Sequence, residues 1–197
     1  MTRPDTLHSS FLHDYYLIHR KFWRIFGGEF RVFDRSGNLV LFSEQAAFRL
    51  REDFRVYPDE RQSKELLSIK TEQIMDFAAT FKVHDGATGQ LIGSLKRKAL
   101  KSLVRDEWII FDANGMQIGV VAEANLGLAL LTRLIGLLPQ SFVITSRDGT
   151  TVAEIKQQFN PFILKNRMTI LKPQPDIDRR MIVAAGILLA GIERRQG

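Results

Sequence analysis

Apolar and polar residues alternate one by one along much of this chain. Phe30 and Val32 alternate with Arg31, Phe81 and Val83 with Lys82, and Phe48, Leu50, Phe54 and Val56 with Arg49, Arg51 and Arg55. A period of two belongs to a strand with one face on a core. One unit recurs within this pattern, an apolar strand, a turn containing Asp or Gly, and a second apolar strand, at 30–41, 81–92, 108–119 and 142–153. Gly37, Gly89, Gly115 and Gly149 stand where a tight hairpin turn needs positive φ, and the neighbouring Asn38, Asn114 and Asp148 tolerate it. Each unit is therefore predicted to be a β-hairpin, with further strands at 47–57, 66–70 and 91–95.

The last stretch has another period. From Asp176 to Glu193 the chain is charged at both ends and uncharged from Met181 to Ile192. A helix apolar on every side must be enclosed by protein or by lipid. About 12 residues rise roughly 18 Å, short of the roughly 30 Å of hydrocarbon in a bilayer, so protein encloses it. Asp176 and Asp178 suit the positive end of the helix dipole, and Arg194 and Arg195 the negative end. The predicted fold is mainly β: a closed antiparallel barrel of about twelve strands wrapped around a central, hydrophobic C-terminal α-helix, which leaves no unpaired strand edges.

Composition adds boundaries. A chain of 197 residues, 45% hydrophobic, is the size of one domain. Residues 1–14 are polar and include Pro4, His8 and His13, and they read as a disordered leader before a single domain at 15–197. No run has the length of a membrane span and the N-terminus lacks the apolar centre of a signal peptide, which makes the cytoplasm the expected location. Cysteine is absent, which removes disulfides, thiolate metal sites and a cysteine nucleophile. The net charge of +6 and pI near 9.8 permit a phosphate-rich partner.

Two segments interrupt the alternation. Lys96, Arg97, Lys98, Lys101 and Arg105 form the densest basic cluster, read as a loop after the strand ending at Leu95. Leu126 to Leu138 is apolar apart from Thr132 and Arg133 and ends at Pro139. It is either a lid over the barrel mouth or a segment whose Leu126, Leu130, Leu134 and Leu138 meet a membrane or a partner. No Walker loop, nucleophile elbow, dinucleotide fingerprint or zinc-ligand pair occurs, and the four histidines are scattered, so neither an enzyme nor a cofactor is expected. Asp112-Ala-Asn-Gly lacks the spaced ligands and later glutamate of a calcium loop, and no metal is expected there.

Residues 16–34 together with 47–57, the segment 145–159, and Asp176-Ile-Asp-Arg-Arg-Met-Ile-Val-Ala-Ala resemble the LURP-one-related and phospholipid scramblase group of the Tubby C-terminal-like superfamily. The resemblance implies a twelve-stranded antiparallel barrel around a C-terminal helix and no catalysis. It also implies association with phosphoinositides and membranes and, on the scramblase side, calcium-dependent lipid mixing. This chain departs from scramblases at 162–170, where Lys165 and Arg167 stand in place of an acidic segment. Calcium control is therefore not expected.

Two readings of function remain open: a module that associates with an anionic phospholipid surface, and a soluble scaffold or partner-binding domain. Nucleic-acid binding fits less well, because Trp23, Trp108 and most phenylalanines take core positions rather than lying exposed between basic residues.

Overall fold

In a computed structural model of the chain, the described residues form twelve antiparallel strands that close into a barrel around the C-terminal helix. The structure describes residues 7–21, 28–45, 53–75, 78–98, 107–124, 140–158, 163–172 and 176–192. The strands are β1 (Tyr15–Lys21), β2 (Gly28–Phe33), β3 (Leu39–Gln45), β4 (Asp53–Tyr57), β5 (Leu67–Met75) and β6 (Ala78–Asp85). They continue as β7 (Leu91–Arg97), β8 (Glu107–Asp112), β9 (Gln117–Glu123), β10 (Ser141–Ser146), β11 (Thr151–Gln158) and β12 (Ile163–Ile170), followed by the helix α1 (Arg179–Ile192). Each strand pairs with its neighbours in the chain, and β1 pairs with β12 to close the ring.

The four repeated units are hairpins of one kind. Gly37, Gly89, Gly115 and Gly149 have φ of 84°, 70°, 79° and 85°, and the register slips by one residue just before each turn, at Val32/Phe33, Val83/His84, Ile110/Phe111 and Ile144/Thr145. This is a tight turn closed by a bulge with glycine in the left-handed region, and a Cβ at that position would be strained. In all four hairpins an aspartate side chain also locks the turn. Asp112 Oδ1, for example, accepts from the backbone N–H of Asn114 at 2.9 Å and of Met116 at 2.8 Å.

A twelve-stranded ring is too wide for side chains alone to fill. Strands about 4.8 Å apart and tilted about 40° give a backbone diameter of about 24 Å. Inward side chains about 5 Å deep leave roughly 14 Å, close to the 10–12 Å of an α-helix. Helix α1 occupies this space, and every residue from Arg180 to Ile192 is buried. Gly186 lets it approach the wall: a Cβ there would lie 3.0 Å from Ile18 Cδ1 and 3.1 Å from Met168 Sδ.

Two expectations are corrected. Among residues 1–14, those from His8 onward are not a disordered leader. Ser9–Phe11 form a 3-10 turn, Phe11 is 2% exposed within the core, and the Tyr16 hydroxyl donates to Ser10 O at 3.1 Å. The turn serves as a plug, with one aromatic filling the barrel end and backbone carbonyls receiving wall and helix donors. Burial pushes the Tyr16 phenol up to about 12, against the opposing charge of Arg179. The helix itself begins at Arg179, three residues later than the charged boundary suggested, because Asp178 is its cap: Asp178 Oδ1 accepts from Arg180 N at 2.9 Å.

Leu188, 1% exposed, and Ile187, fully buried, test the enclosure. Leu188→Ala should lower the stability measured by chemical denaturation by about 2–5 kcal/mol through the cavity it leaves. Ile187→Asp should abolish cooperative folding, since an unpaired charge in this interior costs an amount comparable to the whole stability. Soluble, cooperatively folding protein truncated before Asp176 would contradict the enclosure.

Candidate functional site

Antiparallel strands joined in chain order put alternate connections at opposite ends of the barrel. The tight hairpin turns, the plug at Ser9–Phe11 and the start of α1 share one end, called here the turn end. The strand ends flanking 22–27, 46–52, 76–77, 99–106, 125–139 and 159–162 share the other, as does the end of α1 at Ile192.

The turn end is held by two arginines at the start of the helix. Arg179 donates to Phe11 O at 2.8 Å, to His13 O at 2.6 Å and to Asp14 Oδ1 at 2.7 Å. The side chain of Arg180, 7% exposed, bridges Asp178 at 2.6 Å and Asp85, at the end of β6, at 2.7 Å. Burial pushes the Asp85 carboxyl up, but hydrogen bonds from Thr88 and Ala87 and the charge of Arg180 outweigh it, and its pKa lies below the ordinary 3.8. Burial likewise opposes the Arg180 charge, and the two aspartates more than restore it. The helix is thereby fixed in rotation and depth relative to the barrel.

At the opposite end Arg20, on the inward face of β1, donates to Ala190 O at 3.2 Å and Gly191 O at 2.9 Å. It fulfils the role assigned by sequence to Arg194 and Arg195, which lie outside the described residues: a cation on the last carbonyls of the helix.

Here too lies what is described of the basic cluster. Strand β7 runs two residues past the expected end at Leu95, so Lys96 and Arg97 follow strand alternation instead of forming a loop, and Lys98 comes directly after them. Lys96 is exposed on the outer face opposite Thr80 and Ile109. Arg97 takes the inward position, half-buried, with its guanidinium 5.9 Å from the centroid of the Trp108 ring. Lys98 is exposed and pairs with Glu107. Lys101, Arg105, Leu126, Leu130, Leu134 and Leu138 lie outside the described residues. The strands that carry their segments nevertheless end together, β7 and β8 at Arg97 and Glu107, β9 and β10 at Glu123 and Ser141, on three successive ladders.

Among the described residues no cluster of three or more His, Asp or Glu could hold a metal ion, and no helix is long and apolar enough to cross a membrane. Asp112 spends its carboxylate on its own hairpin. Lys165 and Arg167 are on the outer face of β12, half-buried and exposed respectively.

Sequence reasoning missed Arg20, Arg180 and Asp85. The motif Asp178-Arg-Arg was visible, but its partners stand 95 and more residues away, beyond any periodic pattern.

A family model described as LURP-one-related matches residues 15–190, nearly the whole chain, and the chain belongs to that family. The family is part of the Tubby-like superfamily. No curated protein and no solved structure matches the chain.

Replacing Arg180 by Met leaves two carboxylates facing each other without their cation. It should lower stability by about 2–4 kcal/mol near neutral pH. Because the Asp85 pKa is depressed by folding, its contribution is present above the unfolded value of 3.8 and is lost as pH falls through the folded one. Denaturation midpoints followed from pH 7 into acid should therefore fall more steeply for wild type than for Arg180→Met.

Proposed function

We propose that this member of the LURP-one-related family is a non-enzymatic module that associates with anionic phospholipid surfaces through the barrel end opposite the tight turns. Lys96, Lys98, Lys101 and Arg105 would meet headgroup phosphates, with Arg97 turned inward behind them onto Trp108, and Leu126, Leu130, Leu134 and Leu138 would meet the apolar boundary beneath. The observation that carries this reading is topological. The strands flanking the basic segment and those flanking the apolar segment end at the same side of the barrel, on successive ladders. Basic side chains near an anionic surface contribute about 1 kcal/mol each, and apolar residues entering the interface add an unscreened part. Neither contribution suffices alone. The protein would be peripheral at the cytoplasmic face of a membrane.

The competing reading is a soluble scaffold whose same end meets a protein partner. It draws on the Lys98–Glu107 pair, which already neutralises one of the outward cations.

Sedimentation with phosphatidylserine-containing vesicles separates the two. Wild-type protein should pellet at low salt, and serine at Lys96, Lys98 and Lys101 together should abolish pelleting. Leu130→Ser with Leu134→Ser should weaken it at every salt concentration, because only the electrostatic part is screened. Wild-type protein that stays in the supernatant at low salt would favour the partner-binding domain.

The module is proposed to act without calcium. Lys165 and Arg167 occupy the segment that would have to supply carboxylates, and a ligand that binds only folded protein raises Tm. Millimolar calcium should leave Tm unchanged, and a calcium-dependent rise would show a cation site elsewhere in the chain.

A further inference from the structure

Three cross-strand pairs on the outer wall set like charges directly opposite each other, Glu29 with Glu44, Lys70 with Lys82, and Lys156 with Arg167, and the last of them lines a cleft. Lys156 on β11 and Arg167 on β12 are direct cross-strand partners, and both side chains are exposed on the outer face. Like charges directly opposite in a sheet are destabilising. The next rung on the same face places Lys165 opposite His19 of β1, and burial together with the Lys165 charge pushes the imidazole pKa down. The single carboxylate nearby, Glu154, pairs with Lys156 at 2.6 Å, and Arg167 makes no ion pair among the described residues.

These residues line a cleft. Tyr15, Arg35, Glu154, Lys156, Arg167 and Thr169 surround a half-open volume of about 270 Å³. Arg35 reaches it from the β2–β3 turn, its guanidinium 5.0 Å from the centroid of the Tyr15 ring. Three cations against one carboxylate leave the lining short of negative charge, and arginine presents the planar donor fork that matches a phosphate. Glu154 and Thr169 add acceptors suited to hydroxyl groups.

We infer that this wall cleft is a binding site for a small phosphate monoester carried on a hydroxyl-bearing molecule, such as a sugar or polyol phosphate. The phosphate satisfies Arg167, Lys156 and Arg35, and the hydroxyls meet Glu154 and Thr169. The volume, at the lower limit for small-molecule pockets of roughly 300 Å³, admits a phosphosugar and excludes a folded polyanion. The cleft is on the side wall towards the turn end, away from the end proposed to face a membrane. A free monoester reaches it without a bilayer, and the inference stands independently of membrane association.

The test is a melting series with glucose 6-phosphate, against glucose with sodium chloride at matched ionic strength, for wild type and for Arg167→Gln and Lys156→Gln, each first shown folded by circular dichroism. Wild-type Tm should rise by roughly 3–6 °C at a concentration tenfold above Kd. Without the phosphate Arg167→Gln, which breaks no ion pair, should melt at or above wild type because the like-charge pair is relieved, and with the phosphate neither variant should show the rise. No rise in wild type, an equal rise in the variants, or Arg167→Gln melting below wild type without ligand would overturn the assignment. A parallel arm uses phosphatidylcholine vesicles containing phosphatidic acid. Pelleting should be the same for wild type and Arg167→Gln, and pelleting that depends on Arg167 would assign the cleft to a lipid headgroup and overturn the free ligand.

Discussion

Helix α1 and the barrel depend on each other. A ring of twelve strands leaves an axial space about the width of one helix, and a helix uncharged from Met181 to Ile192 has no face it can show to water. Each solves the other's burial problem, so enclosure is the constraint from which the remaining features follow. Alternating inward residues of the strands form the outer shell of the core, and Gly186 permits close contact with β1 and β12. The polar ends of the helix, which cannot be left bare inside a wall, are met by side chains: Asp178 at the start and Arg20 at the finish.

Enclosure also makes the two ends of the barrel unlike. At the turn end Arg179 and Arg180 tie the helix to the N-terminal plug and to the β6–β7 hairpin, and four of the five strand connections there are short turns whose geometry glycine and aspartate dictate. Function that requires adaptable contact with a large surface has little room there. The other end carries longer connections, among them those richest in basic and in leucine residues, and this is where membrane association is proposed. The side wall offers a third kind of surface, rigid and paired on both sides, where a charge conflict between β11 and β12 becomes useful only when an anion resolves it.

The repeated hairpins and the core helix were legible because their signals are local: an alternation of two, a glycine at a fixed place in a turn, a run apolar on all sides. The helix start was misjudged by three residues because Asp176 and Asp178 suit the dipole equally, and only the hydrogen bond from Arg180 N to Asp178 chooses between them. Phe11 carried too weak a signal within a polar stretch, since one aromatic without a periodic neighbour looks the same in a leader and in a plug. The basic cluster was recognised as charge, but ending its strand at Leu95 hid the alternation that sends Lys96 outward and Arg97 onto Trp108. The Lys156–Arg167 conflict could not be seen without the register, since nothing in the sequence says that these two residues face each other.

Amide hydrogen exchange under native conditions tests the enclosure most directly. If α1 lies within a closed ring, the amides of Val183 to Ile192 exchange only through global unfolding. Their exchange free energies then equal those of the slowest amides in β1 and β12 and fall in parallel with them as denaturant is added. Helix amides that exchange by a separate, lower-energy opening while the strands stay protected would show that the barrel stands without the helix, and would contradict the account.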